Sequence, residues 1–131
     1  MERQTTNELN ILIDCKNLFV LVDKLCNNFH DFRFTLNPQM VRASISIGSN
    51  IAEGNNKSKK EFNRYLDISI GSCNELLYQI ELIKSILNHK RRFYITNDDL
   101  NEILNLINKI KATCINIKSY NNSLTRKSLN R

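Results

Sequence analysis

The stretch SKKEFNRYLDISIGSCNELLYQIELIKSIL, Ser58 to Leu87, decides the fold. Ser58 and Glu61 have the spacing at which a hydroxyl and a carboxylate satisfy each other's backbone N–H groups at a helix start. Beyond them, Phe62, Leu66, Ser69, Cys73, Leu76, Ile80, Ile83 and Leu87 alternate steps of four and three. That rhythm keeps one apolar seam on one face of a helix. Sustained over this length, it implies near-parallel packing against other helices, as in a bundle.

Three further segments carry the same signal. The first opens near Thr5 with Glu8 in capping-box position, and its seam is Ile11, Cys15, Leu18, Val22, Leu25 and Phe29. The second opens at Asn37-Pro38, where Asn is expected to cap and Pro to take the first helical position. It runs through Met40, Ala43, Ile47 and Ile51 to Gly54, expected to end the helix by turning left-handed. The fourth starts at Thr96, with Asp98 and Asp99 at the positive end of the helix dipole. Its seam is Leu100, Ile103, Ile107, Ile110, Cys114 and Ile117. Connections are short, so neighbours should be antiparallel. The expected fold is all-α: one antiparallel up-down-up-down four-helix bundle over residues 1–121, with a basic, flexible tail over 122–131.

Composition agrees. The chain has 131 residues, only 3 Gly and 1 Pro, and no Pro/Gly-rich linker, which suits one domain built from long helices. No apolar run approaches the ~20 residues that span a bilayer, and residues 1–6 lack the order of a signal peptide. A cytoplasmic protein with no membrane partner is expected. Cys15, Cys26, Cys73 and Cys114 lie far apart among apolar helical neighbours, which favours core packing over a zinc site.

Helix 3 carries more apolar surface than one core needs. Tyr65, Ile68, Ile70, Leu77, Leu82 and Ile86 lie outside its seam. Either helix 3 is the most central helix or this surface meets another subunit. Gly48-Ser49 and Gly71-Ser72 weaken their helices, at about 1 kcal/mol per Gly relative to Ala. Close approach by a neighbouring helix, from this chain or another, would account for them.

Catalytic and metal motifs are missing. His30 and His89 do not follow a Glu by three, so a di-metal carboxylate site fails at its ligands. There is no phosphate-cradling Gly loop, no H-E-x-x-H and no G-x-S-x-G. Glu61 and Glu75 fall on roughly one helix face, where hydrogen bonding or pairing with Lys and Arg is more ordinary than acid–base chemistry. The expectation is no enzyme, no cofactor and no metal.

Charge says more. The formal net charge is +6. Lys57, Lys59, Lys60 and Arg64 surround the helix 2–3 turn, and Arg126, Lys127 and Arg131 fall in a tail without acids. An up-down bundle puts these at one end, with Arg3. A third cluster, His89-Lys90-Arg91-Arg92, sits at the helix 3–4 turn. A basic end suits phosphate backbones or an acidic protein surface. Structured RNA is the leading expectation, with Lys57, Lys59, Lys60, Arg64, Arg126 and Lys127 supplying phosphate contacts. The alternative is a protein-interaction scaffold for an acidic partner.

The residues Phe34-Thr-Leu-Asn-Pro-Gln39, Ser44-Ile-Ser-Ile-Gly-Ser-Asn-Ile-Ala-Glu-Gly54, Ser58-Lys-Lys-Glu-Phe62 and Gly71-Ser-Cys-Asn-Glu-Leu76 form a distinctive set. It resembles the bacterial four-helix-bundle family named for intervening sequences within 23S ribosomal RNA genes. Gly48 stands where that family commonly has proline, and Lys57 where it commonly has arginine. The resemblance implies a ring-shaped homopentamer. It also implies kinship with the accessory protein of diversity-generating retroelements, which partners a reverse transcriptase and nucleic acid. Its motif residues here are Asn50, Glu53, Gly54, Glu61, Phe62, Gly71, Ser72 and Glu75. For Gly54, Glu61, Phe62 and Gly71 an architectural role is expected. Asn50, Glu53 and Glu75, read as inward-facing, are expected to form a hydrogen-bond network between helices or subunits.

Overall fold

A computed structural model describes residues 6–28, 32, 35–89 and 96–129. Four helices follow in order: α1 (Thr6–Asn28), α2 (Leu36–Gly54), α3 (Lys59–His89) and α4 (Asn97–Leu129). Each packs against two neighbours, α1 on α2 and α4, α3 on α2 and α4. The bundle is therefore a square, closed around the seams read from the sequence. Leu18, Val22, Ile47, Leu66, Leu76, Ile80, Ile107 and Ile110 are fully buried. Each such side chain contributes about 1.5–3 kcal/mol by leaving water.

The helix ends differ in detail. Glu61 N–H donates to Ser58 Oγ at 3.2 Å, as the Ser58–Glu61 spacing implies. At α4, Asp99 N–H donates to Thr96 Oγ1 (3.2 Å), and Thr96 N–H donates back to Asp99 Oδ2 (3.1 Å). That backbone bond, reinforced by the Thr96 hydroxyl, holds the Asp99 carboxyl below its usual range. The cap expected at Thr5 lies outside the described residues.

At α2 the expected cap is corrected. The cap residue is Thr35, and Asn37-Pro38 lies within the first turn, where the N–H that Pro lacks has no intrahelical partner anyway. Asn37 is buried, and its Nδ2 donates to Cys26 O at 3.3 Å. It thus satisfies one of the final carbonyls of α1 and ties the two helices together.

Gly54 is corrected too. No described glycine has positive φ, and the C-cap, Asn55, is right-handed, with its N–H on Ile51 O at 3.0 Å. Gly54 is buried against α3, where a Cβ would lie 2.6 Å from Tyr65 Cβ and 2.9 Å from Phe62 Cδ1. Space, and not backbone freedom, requires glycine there. Gly48 does the same more mildly against α1, its would-be Cβ lying 3.2 Å from Cys15 Cβ. At Gly71 a Cβ would meet nothing within 4 Å.

The second apolar set of α3 divides. Ile70, Leu77 and Ile86 are partly buried against the core, and Tyr65 is half-buried over Gly54. Ile68 and Leu82 stay exposed. α4 runs unbroken to Leu129, past the tail boundary drawn after residue 121. No helix is long and apolar enough to cross a membrane among the described residues.

Candidate nucleic-acid interface

Two helix ends meet where the basic residues were expected. Near the α3 N-terminus, Asn63 Nδ2 donates to Asn122 Oδ1 and Asn121 Nδ2 donates to Asn63 Oδ1, both at 2.9 Å. Lys118 pairs with Asp67 one turn further along α3. These bonds fix the antiparallel register. They set Lys59, Lys60 and Arg64 of α3 level with the segment of α4 around residues 120–126. Arg64, Lys60, Arg126 and Lys127 are exposed and Lys59 is half-buried. None of the five makes an ion pair among the described residues, where the pairs are Lys57–Glu53, Lys109–Asp14 and Lys118–Asp67.

Lys57 is therefore set apart from the group. Its Nζ lies 3.7 Å from the Glu53 carboxylate, one turn back. An exposed pair of this kind is worth at most about 1 kcal/mol, so Lys57 can exchange Glu53 for another anion. Arg3, Arg131 and the 90–92 cluster lie outside the described residues.

On α4, Ser119, Asn122, Ser123, Arg126 and Lys127 line a polar cleft of about 290 Å³. Their spacing puts two hydroxyls, an amide and two cations on one helical face. Arg126 and Lys127 were legible from charge. Ser119, Asn122 and Ser123 were not, and the signal that finds them is a donor at every i, i+3, i+4 step back from Arg126.

The motif residues take separate places. Asn50 is half-buried, and its Nδ2 donates to Ser46 O (2.8 Å) and Ser46 Oγ (3.1 Å). Ser46 Oγ shares a 2.9 Å hydrogen bond with Ser72 Oγ, closing a polar bridge between α2 and α3. Ser69 Oγ reinforces it, donating to Ile47 O at 2.8 Å in the core. Glu53 and Glu75 do not join, a correction to the inward network expected. Both are exposed; Glu53 meets Lys57, and Glu75 accepts from Gln79 Nε2 at 3.3 Å. Phe62 is buried, while the Glu61 side chain is exposed in the first turn of α3.

Gly54, Phe62 and Ser72 join α2 to α3, and Asn50 holds the Ser46 hydroxyl that meets Ser72, so the motif residues gather at one helix junction. The family described as "23S rRNA-intervening sequence protein" matches residues 7–116. The chain belongs to that family. Among solved structures it resembles a protein of unknown function from the S23 ribosomal protein family of Bacteroides thetaiotaomicron, at 24% identity and a TM-score of 0.73. That match covers 90% of this chain and 99% of the other, and it shows the shared fold. No curated protein matches. The match to this intervening-sequence family ends at residue 116, before the cleft on α4.

Other chemistry finds little support. Among the described residues no group of three His, Cys, Asp or Glu is placed to hold a metal. Cys15, Cys73 and Cys114 are buried and Cys26 half-buried, all as free thiols. Burial pushes Cys15 and Cys73 up to about 12 and Cys26 up to about 11, and raises Cys114 as well. Such thiols are poor nucleophiles because the reactive thiolate is suppressed.

Proposed function

We propose that this family member is a non-enzymatic, self-associating cytoplasmic bundle, the homopentamer that the resemblance implies, and that its basic end binds structured RNA. The observation that carries the RNA reading is the side-by-side register of α3 and α4. It groups Lys59, Lys60, Arg64, Arg126 and Lys127, none of which makes an ion pair among the described residues. Cations left unpaired and exposed attract a polyanion at long range. The sequence shows no RNA-reading module, so recognition is of backbone and shape.

The test is fluorescence anisotropy of labelled structured RNA with nuclease-treated protein across a salt series. Saturable binding that weakens steeply with salt is expected, since each phosphate contact adds about 0.7–0.9 to the slope of log K against log salt. Lys59→Glu/Lys60→Glu should flatten that slope by roughly 1–2. An unchanged slope would remove these two lysines from the site. No binding at low salt would overturn the RNA reading and move attention to an acidic protein partner, such as a reverse transcriptase.

A further inference from the structure

We infer that copies of this chain join head to tail, the outer ridge of α3 of one copy seating in the groove between α1 and α2 of the next. The inference rests on the self-association proposed above and names the surfaces that make it.

Among the described residues, two faces left uncovered are largely apolar and lie on different sides of the bundle. On α3, Ile68, Gly71, Glu75, Tyr78 and Leu82 alternate steps of three and four along the side away from the core. Ile68 is 49% and Tyr78 66% exposed. This is a second seam with the rhythm of the first. Between α1 and α2, a groove of about 550 Å³ is lined by Ile13, Phe19, Val20 and Ile45, with small Gly48 and Ser49 between them. Ile13 and Ile45 are 49% and 48% exposed. One face is a ridge and the other a groove, so they suit each other better than either suits itself.

Their heights agree. The Gly48–Cys15 approach and the Ser69–Ile47 and Ser46–Ser72 bonds fix the levels of α1, α2 and α3. In a ring whose axis runs along the bundle, every copy sits at the same height. Ile68 then arrives level with Gly48 and Ser49, where the groove is lined by small residues. Gly71 arrives level with Lys16 and Ile45, where it is lined by larger ones. Large meets small at both levels, as interlocking helices require. Gly71, where an added Cβ would meet nothing in its own chain within 4 Å, thereby gains a reason.

Charge agrees as well. Glu75 comes level with Arg42, and Lys16 lies about one turn away. None of the three has an ion-pair partner among the described residues. Direction supplies the closure. At about 100° per residue, the α3 ridge points outward on its α2 side, roughly a right angle from the groove's opening. Unlike faces set about 90–110° apart close a ring after roughly four or five copies.

The full-length chain, free of nucleic acid, tests this by sedimentation and by cross-linking with a short bismaleimide. Wild type should sediment as a closed oligomer. Gly71→Trp should keep its helical content and melting as a monomer, but associate at least ten-fold more weakly. A mixture of Ser49→Cys and Ile68→Cys chains should cross-link to dimers beyond the wild-type background, while neither variant does so alone. An oligomer that tolerates Gly71→Trp overturns this contact while leaving self-association standing. Dimers from Ile68→Cys alone would also overturn it, by showing two-fold pairing of the ridge with itself. A wild-type monomer at all concentrations overturns both.

Discussion

Gly54→Ala isolates the argument that space, and not backbone freedom, selects glycine at the α2–α3 junction. The added carbon would sit 2.6 Å from Tyr65 Cβ, where carbons in good contact keep about 3.5–4.0 Å. Tyr65 Cβ is fixed to its own backbone, so no rotamer change relieves the overlap; α2 and α3 must separate locally by roughly 1 Å. Overpacking of this kind costs about 1–3 kcal/mol. Alanine's better helix propensity returns at most about 1 kcal/mol, and less at a terminal position. The net expectation is a destabilisation of about 1–2 kcal/mol. In urea, with a slope of about 1–3 kcal/mol per molar, the midpoint followed by far-UV circular dichroism should fall by roughly 0.5–1.5 M. Gly54→Asn sharpens the test. A left-handed helix stop would accept Asn better than Ala, whereas a steric site should reject Asn more strongly. A Gly54→Ala midpoint at or above wild type, or an Asn variant more stable than the Ala one, would refute the packing argument.

The bridge between α2 and α3 should register as coupling: in a double-mutant cycle of Ser46→Ala and Ser72→Ala, about 0.5–1.5 kcal/mol of interaction energy is expected in urea melts, and strict additivity would show the 2.9 Å bond contributes nothing. The buried thiols make a pH prediction. Their folded pKa values lie above the ordinary value of 9.0, so their contribution is whole below pH 9 and is lost as pH rises from there toward 12. Each thiol adds up to about 1.4 kcal/mol per pH unit to that decline. Urea midpoints at rising pH under reductant should therefore fall less steeply for Cys114→Ala than for wild type, and parallel declines would contradict it.

The four seams were legible because burial in a bundle follows a period that sequence displays directly. Phe62, Leu66, Cys73, Leu76, Ile80 and Ile83 are all buried as their spacing requires. What escaped was anything decided by a residue distant in sequence. Asn37 looks like a cap until the end of α1 is placed beside it. Gly54 looks like a helix stop until Tyr65 is folded over it. Glu53 and Glu75 were read as inward because motif membership suggested it, although their angular positions put them outside the core stripe. The basic end was readable from charge counts. The Asn63–Asn121–Asn122 contacts that align its two halves join residues 58 and 59 positions apart, and no local pattern announces them.

The turn at 55–58 also orders events in time. Ser46 and Ser72 are only 26 positions apart, so bringing α2 onto α3 closes a short loop, whereas the Asp14–Lys109 pair spans 95. Closure entropy and contact order both favour the shorter excursion. Refolding should therefore pair helices adjacent in the chain first, α2 with α3 among them, and close the square through the α1–α4 contact last. Pulse-labelled hydrogen exchange would read this as amides of α2 and α3 protected no later than those of α1 and α4, and protection appearing first only in α1 and α4 would contradict it.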